Sequence, residues 1–288
     1  MDQSKLRKTT LEAGRPFDFS QASLQDYLDC PKRFQLRYLL QLHWPAPQVE
    51  PIRENEAAVR RGERFHHLAQ QALVGVPLER LELAAAADPD PALARWWSHF
   101  QALLPSLQDG KRSVETLLAA PLGKHRLLAK YDLVQILPEE GKAVIYDWKT
   151  GPHPPKRASL ARRMQTRVYP YLLARAGAAL NARQPILPAR IEMVYWFAEF
   201  PDQVERFVYS DRRFGEDERE LSGLIAEIAG LTEDQFPKTD DEKRCRFCVY
   251  RSLCARGAQA GLFSESEEDL QPEGELEINF DQIGEIGF

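Results

Sequence analysis

The sequence has no hydrophobic run long enough to cross a membrane, since none approaches the roughly 18 apolar residues that a spanning helix needs. Its first ten residues, MDQSKLRKTT, also lack the apolar segment of a secretion signal. These absences exclude a membrane protein and predict a cytoplasmic one. With 288 residues and 43% hydrophobic content, the chain can bury a core as one large domain or two small ones.

Lysine and arginine are absent from residues 264–288, which contain nine aspartates and glutamates. The rest of the chain therefore carries 38 basic against 34 acidic side chains, although the net charge of the whole is −5. This asymmetry predicts a solvated acidic tail after a mildly basic body. A mildly basic body permits contact with nucleic-acid phosphates without demonstrating it.

Cysteine is scarce, and in a cytoplasmic chain the four cysteines are not expected to form disulfides. Cys30 lies near the start, whereas Cys245, Cys248 and Cys254 form a C-x2-C-x5-C cluster near the end. This placement predicts a metal or cluster site that joins the two ends of the domain. On spacing alone, zinc and an iron–sulfur cluster are both open, with zinc slightly favoured.

Helical and strand patterns are mixed along the chain, which predicts one α/β domain. Residues 20–42 should form two short helices that meet at Cys30 and Pro31. Further helical patterns cover 55–74, 91–107, 159–178 and 211–231, and strand patterns cover 125–137, 142–150 and 189–200. The first two strands are separated by the turn sequence PEEG and therefore predict a hairpin.

The second strand of this hairpin ends in two ionisable residues, Asp147 and Lys149, which project from one face because they are two apart. The hairpin brings Asp132 of the preceding strand close to Asp147. Paired carboxylates stay ionised when a cation binds them, and their oxygens suit Mg²⁺ or Mn²⁺. This arrangement suits phosphodiester hydrolysis. A salt-bridged hairpin is the commoner explanation of an isolated D-x-K.

Two further pairs lie on predicted helices. Gly62 and His66 form G-x-x-x-H, where the glycine permits close packing and His66 offers a nitrogen ligand, whereas His67 should face elsewhere. Gln165 and Tyr169 form Q-x-x-x-Y, which places both on one helix face. Taken alone, a single histidine is more often structural, and such a pair is usually surface or core.

These motifs, with Asp132 and the D-W-K-T sequence at Asp147, occur in the order and approximate spacing of RecB-like members of the PD-(D/E)XK nuclease superfamily. The opening S-x-x-x-Y-x-x-C-P-x-x-F from Ser23, together with the terminal cysteines, resembles the iron–sulfur-bearing branch. That branch includes CRISPR-associated RecB-type exonucleases and AddB-type nuclease domains. The resemblance covers about residues 20–256. The chain departs from it before Asp132, where A-K-Y stands instead of a motif with glycine.

The resemblance implies a restriction-endonuclease-like core, with a mixed central β-sheet flanked by helices and with N- and C-terminal segments joined by a four-cysteine cluster. It implies catalysis by Asp132, Asp147 and Lys149. It implies that Mg²⁺ or Mn²⁺ is bound by His66, Asp132, Asp147 and the Trp148 backbone carbonyl. It also implies DNA contacts by Gln165 and Tyr169, and a [4Fe–4S] cluster on Cys30, Cys245, Cys248 and Cys254.

The expected organisation is an N-terminal extension over 1–19, a nuclease domain over 20–263 and the acidic tail over 264–288, with the cluster module in 20–42 and 240–258. The expected function is a metal-dependent DNA exonuclease that acts on single-stranded or frayed ends, with helicases or CRISPR adaptation proteins as partners and no membrane. No G-x-x-x-x-G-K-[ST] motif occurs, so any motor is another chain. The alternative is a non-catalytic DNA-end-binding or assembly subunit.

Overall fold

A computed structural model of the protein describes residues 16–42, 52–254 and 256–261. Most of the predicted N-terminal extension and the whole acidic tail lie outside these residues. No helix in the described part of the chain combines the length and the hydropathy needed to cross a membrane.

A mixed six-stranded β-sheet forms the centre of the molecule. Its strands are β1 (Asp18–Ser20), β2 (Lys111–Leu122), β3 (His125–Leu137), β4 (Lys142–Lys149), β5 (Ile191–Phe197) and β6 (Val204–Val208). They lie in the order β1-β3-β4-β5-β6, and β2 also pairs with β3. The β4/β5 and β1/β3 pairs are parallel, and the other pairs are antiparallel. Every residue of β5 is buried, as a strand covered on both faces requires.

Helices cover both faces of this sheet. They are α1 (Gln21–Asp29), α2 (Pro31–Phe34), α3 (Ile52–Leu73), α4 (Leu78–Ala86), α5 (Pro91–Leu103), α6 (Arg157–Leu160), α7 (Met164–Ala176) and α8 (Asp211–Gly230). A π-helix, Gln35–Leu39, continues α2. Short 3-10 helices are Leu104–Leu107, Gly177–Leu180, Pro188–Arg190, Glu233–Gln235, Glu242–Phe247 and Arg251–Cys254. Side-chain caps fix several helix starts, as where Ser20 accepts a hydrogen bond from the Ser23 amide before α1.

The alternation of side chains along β4 divides the core into two layers. Ala143 and Ile145 face the layer that contains α1, α7 and α8. Val144, Tyr146 and Trp148 face the layer of α3, α4 and α5, which is rich in aromatic rings. The predicted mixed sheet between helices is therefore confirmed.

The structure confirms most of the predicted elements, including the two helices that meet at Cys30 and Pro31 and the hairpin of β3 and β4. Strands β1, β2 and β6 and helix α4 were not predicted, and β1 has only three residues. In β2 the burial alternates from Leu118 to Leu122, but the sequence there, Leu-Ala-Ala-Pro-Leu, does not alternate between apolar and polar residues. In β6 the sequence Val-Glu-Arg-Phe-Val exposes both valines. Neither strand therefore has the strong apolar period that identifies a strand from sequence.

The two ends of the domain meet through direct contacts. The Lys32 amide donates a hydrogen bond to the Pro237 carbonyl (3.0 Å), and the Tyr250 hydroxyl donates one to the Leu42 carbonyl (2.9 Å). The buried Gln35 side chain donates to the backbone carbonyl of Glu233 at 2.5 Å. The contacts place the segment around α2 beside the segment after α8, where the terminal cysteines lie.

Candidate active site

The end of β4 places a carboxylate and an ammonium group side by side. Asp147 is 4% exposed, and its Oδ2 lies 2.8 Å from Lys149 Nζ. Both residues are on the face that was predicted from their spacing, because their neighbours Tyr146 and Trp148 pack into the opposite layer. Strand β4 lies between β3 and β5, so the backbone that carries both side chains is held in the sheet.

Helix α3 brings His66 to the second carboxylate. His66 Nδ1 lies 3.2 Å from Asp132 Oδ1, and Asp132 Oδ2 accepts a hydrogen bond from the Trp148 amide at 2.8 Å. Asp132 thus connects α3 with β4. Neighbouring His67 is exposed, as the helical spacing predicted.

Gly62 permits the close approach of α3 to the end of β4. A Cβ atom at this position would lie 2.8 Å from Thr150 Oγ1, closer than side chains normally pack. The prediction that this glycine allows tight helix–strand packing is confirmed.

Burial and charge shift the pKa values of the three ionisable groups around the site. Burial by itself would lower the pKa of His66, but the adjacent Asp132 carboxylate outweighs burial and raises the pKa to about 9. The same contact holds the pKa of Asp132 low although burial opposes this. Burial raises the pKa of Asp147 to about 6, and Lys149 offsets part of the rise. Asp147 therefore lies in a position that favours a nearby cation.

Gln165, at the start of α7, connects the two ends of the D-x-K motif. Its Nε2 donates to Asp147 Oδ1 at 2.6 Å, and its Oε1 accepts from Lys149 Nζ at 2.7 Å. The side chain is 4% exposed. Both ends of the amide are therefore used within the site, and Gln165 is placed to fix the two catalytic candidates rather than to reach outward.

Tyr169, for which the resemblance implies a DNA contact, lies beneath the site. Its side chain is 3% exposed, and its ring packs against Tyr131 with 4.8 Å between ring centroids. The Tyr131 hydroxyl donates to the Tyr169 carbonyl at 2.9 Å. The spacing of Q-x-x-x-Y correctly placed both residues on one helix face, but that face is turned toward the sheet.

Glu115 is a further acidic residue of the site that the sequence motifs do not reveal. It stands opposite Asp132 in the β2/β3 pair, because Val114 pairs with Leu133 and Thr116 pairs with Tyr131. Its φ of 49° is unusual for a non-glycine residue within a strand. The Glu115 Oε2 atom lies 2.5 Å from Lys130 Nζ. In the sequence, Glu115 could have been noticed as a charged residue between Val114 and Thr116.

The donor atoms fit a divalent cation. One ligand atom each from His66, Glu115 and Asp132 lies within 4.8 Å of the others. Like charges directly opposite in a sheet repel, so the facing Glu115 and Asp132 call for a cation between or beside them. The described residues offer Asp147 Oδ2 no hydrogen-bond donor other than Lys149. Carboxylate oxygens with one imidazole nitrogen suit Mg²⁺ or Mn²⁺.

The four cysteines line one cavity, although Cys30 is more than 200 positions from the others. Cys30 is buried, and the cavity is lined by residues of α2 and of the 3-10 turns near the C-terminal end. The lining also includes the cationic residues Arg33, Lys238, Arg244, Arg251 and Arg256. Burial raises the pKa of Cys248 to about 11. Four thiols around one space with cations behind them fit an anionic thiolate-bound metal centre.

No protein among the curated sequences matches this chain. Among solved structures, the chain is similar to the crystal structure of SSO0001, with a TM-score of 0.40 and 13% identity over 83% of this chain and 85% of the other. It is also similar to a crystal structure named "Putative exonuclease" from Eubacterium rectale, with a TM-score of 0.48 and 9% identity over 84% of this chain and 91% of the other.

The family model described as the PD-(D/E)XK nuclease superfamily matches residues 18–255. This range contains every strand of the sheet, and it also contains His66, Asp132, Asp147 and Lys149, which meet at the end of β4. The chain belongs to the PD-(D/E)XK nuclease superfamily.

Proposed function

We propose that the protein is a metal-dependent DNA nuclease of the RecB-like, iron–sulfur-bearing branch, acting as an exonuclease on single-stranded or frayed ends. The observation that carries the proposal is the meeting of His66, Asp132, Asp147 and Lys149 at one place. They come from α3, β3 and β4, and 83 positions separate the first from the last. Ionisable groups buried at a strand end are costly unless they pair with each other or serve a site. Pairing accounts for each contact separately, whereas a shared site accounts for the grouping of two carboxylates, a histidine and a lysine.

The proposed metal ligands are His66, Asp132 and Asp147, with Glu115 as a further carboxylate and the Trp148 carbonyl as predicted. Mg²⁺ or Mn²⁺ in this position would supply a water of lowered pKa and would neutralise charge on the phosphate. The Trp148 amide orients Asp132 through its 2.8 Å hydrogen bond. Such outer contacts fix the direction in which a ligand offers its free oxygen.

Lys149 is the proposed catalytic cation. Its ammonium group is 2.8 Å from Asp147 and 2.7 Å from Gln165, so it is held beside the carboxylate while about a quarter of the side chain stays exposed. From this position Nζ can contact a phosphate oxygen and stabilise the negative charge that develops during hydrolysis. Gln165 contributes by fixing Lys149 and Asp147 relative to each other.

A [4Fe–4S] cluster on Cys30, Cys245, Cys248 and Cys254 is the second part of the proposal. The shared cavity and its cationic lining support a thiolate-bound centre. The resemblance of the Cys30-Pro31 segment to iron–sulfur relatives favours iron over zinc. The cluster's role in this proposal is structural, because it would add a covalent link between segments that also meet through hydrogen bonds, the Arg244–Asp29 ion pair and the packing of Phe34 on Phe236.

The proposal also includes a cytoplasmic location, DNA as the substrate, and partners among helicases or CRISPR adaptation proteins. A non-catalytic end-binding subunit is the alternative. The presence of the carboxylates, the histidine and the lysine at the site weighs against that alternative, because a binding subunit has no need to keep all of them.

End-labelled linear DNA, single-stranded DNA and closed circular DNA, each with Mn²⁺ or with a chelator, test the proposal. We expect cleavage of linear and single-stranded substrates in Mn²⁺ and survival of the closed circle. Lys149→Ala serves as the inactive control, so that activity from a contaminating nuclease is recognised. Equal products from wild type and Lys149→Ala would contradict catalysis, whereas binding of DNA ends without any cleavage would favour the alternative.

A further inference from the structure

Tyr195, on β5, lies beside the D-x-K motif but belongs to none of the sequence motifs. It is aligned with Asp147 in the parallel β4/β5 pair. Aligned residues on neighbouring strands project from the same face of a sheet, so Tyr195 shares the face of Asp147 and Lys149. The tyrosine is completely buried. Its ring therefore forms part of the floor on which the site is built.

The ring faces the proposed catalytic cation. Lys149 Nζ lies 5.5 Å from the centroid of the Tyr195 ring, within the range of a cation–π contact. Nζ also contacts Asp147 Oδ2 at 2.8 Å and Gln165 Oε1 at 2.7 Å. The ammonium group is thus bounded by groups from β4, α7 and β5, and a flexible side chain is held in one place.

The Tyr195 ring is itself fixed by the start of α7. Thr166 Oγ1 donates to the Leu160 carbonyl at 2.5 Å, so its single proton is used there. The Tyr195 hydroxyl, 2.7 Å from Thr166 Oγ1, is therefore the donor of that contact. Thr166 follows Gln165 directly, so one turn of α7 orients both the amide and the ring that contact Lys149.

We propose that Tyr195 is a positioning residue for catalysis, whose ring face holds the Lys149 ammonium group in place for the reacting phosphate. An aliphatic side chain at this position would leave the ammonium group without that attraction. Nζ would then be held by Asp147 and Gln165 alone and would leave its position over the ring. This inference rests on the proposed catalytic role of Lys149.

Two substitutions separate the ring from its hydroxyl. Tyr195→Phe keeps the ring face, and we expect its turnover with Mn²⁺ and DNA to stay within about twofold of wild type. Tyr195→Leu removes the ring, and we expect kcat to fall about tenfold with KM unchanged. Phe207→Leu is the matched control, because Phe207 packs on Tyr195 with 5.9 Å between ring centroids and belongs to the adjacent strand β6. It should lower the melting temperature without lowering kcat.

Crystal structures of the two Tyr195 variants provide a readout that is independent of cleavage. We expect the Lys149 side chain to keep its position in Tyr195→Phe and to be displaced in Tyr195→Leu. An unmoved Lys149 Nζ in the leucine variant would overturn the inference even if the protein proves not to cleave DNA. If Tyr195→Leu does not fold, Tyr195→Met, which also lacks a ring, takes its place. It is expected to show the same displacement of Lys149. An unmoved Nζ in this variant would likewise overturn the inference. If only the proposed function is wrong, the wild-type protein will not cleave DNA, but Lys149 will still be displaced in the variants that lack the ring.

Discussion

Two sites of the molecule are built in opposite ways. One is the acid–lysine site of Asp132, Asp147 and Lys149, and the other is the cysteine module of Cys30, Cys245, Cys248 and Cys254. Asp132, Asp147 and Lys149 stand on strands that neighbouring strands and two helical layers hold in place. Three of the cysteines lie in or beside short 3-10 turns, and the fourth lies between α1 and α2. Regular elements fix the first site through packing, whereas the second depends on hydrogen bonds, an ion pair and ring packing between segments that are distant in sequence.

This difference separates catalysis from folding. Substitutions in the acid–lysine site should remove activity from a folded protein, since the sheet persists without the catalytic groups. Substitutions of the cysteines should unfold the segments that join the two ends of the domain, or lower their stability. Each of the following substitutions tests one side of this contrast.

Lys149→Ala should give the largest effect on activity. We expect DNA cleavage in Mn²⁺ to fall by about a thousandfold or more, because the charge that develops on the phosphate loses its positioned cation. Far-UV circular dichroism and the binding of uncleaved DNA should stay close to wild type. Asp147→Asn should behave in the same way.

Lys124→Ala, at the exposed tip of the β2/β3 hairpin, is the control for loss of one positive charge. It should cleave DNA normally. A Lys149→Ala protein that is as active as Lys124→Ala would show that the lysine is structural.

Cys30→Ala should give the largest effect on stability. Linking residues 30 and 245 closes most of the domain, and loop-closure entropy values such a link at about 5 kcal/mol. We expect protein purified without oxygen to be brown with about four iron atoms per chain. The variant should lose the colour, dissolve poorly and melt at a lower temperature. Colourless wild-type protein with stoichiometric zinc would contradict the iron–sulfur proposal but not the joining role.

Metal binding should depend on pH through His66. Asp132 raises its pKa to about 9, so in the metal-free protein the histidine carries a proton throughout the neutral range. A divalent cation must displace this proton. Apparent Mn²⁺ affinity should therefore increase as pH rises from about 6.5 to about 9, by at most about tenfold per pH unit. Asp147, with a pKa of about 6, is already mostly ionised over this range.

The same shift predicts a change in the stability of the metal-free protein. A folded-state pKa of His66 above its ordinary value means that the imidazolium–Asp132 pair stabilises the fold below about pH 6.5. This contribution is lost as pH rises through about 9.

Calorimetric titration with Mn²⁺ at several pH values measures the metal affinity. His66→Ala should bind Mn²⁺ more weakly and with a flatter pH dependence, and an unchanged pH dependence would remove His66 from the ligand set.

Gly62→Ala should give the smallest of these effects. The added methyl group would lie 2.8 Å from Thr150 Oγ1, so either the Thr150 side chain rotates away or α3 shifts and carries His66 with it. We expect cleavage to fall about tenfold, since small displacements in a site cost much more in rate than in stability. Gly223→Ala is the matched control on α8, where an added Cβ meets nothing within 4 Å. It should raise the melting temperature slightly and leave cleavage unchanged. Equal cleavage by the two glycine variants would show that the close approach of α3 to the end of β4 is not needed for activity.

The sequence by itself predicted the D-x-K face, the helix that carries His66 and the hairpin that brings Asp132 near Asp147. Each of these depends on spacing along one element or on one short turn, which local geometry determines. The burial of Tyr169 was not predicted, because helical spacing shows which residues share a face but not what covers that face.

Only the tertiary structure decided which distant residues complete the site. Glu115 comes from a strand with weak periodicity, and its place opposite Asp132 depends on the register of β2 against β3. Tyr195 meets Lys149 because β4 and β5 are parallel and in register, which requires the whole α6 and α7 crossover between them. The sequence determined the local chemistry of each segment, since residue type and period act over a few positions. The tertiary structure decided the neighbours, because contacts across a sheet or between chain ends depend on packing that no single segment contains.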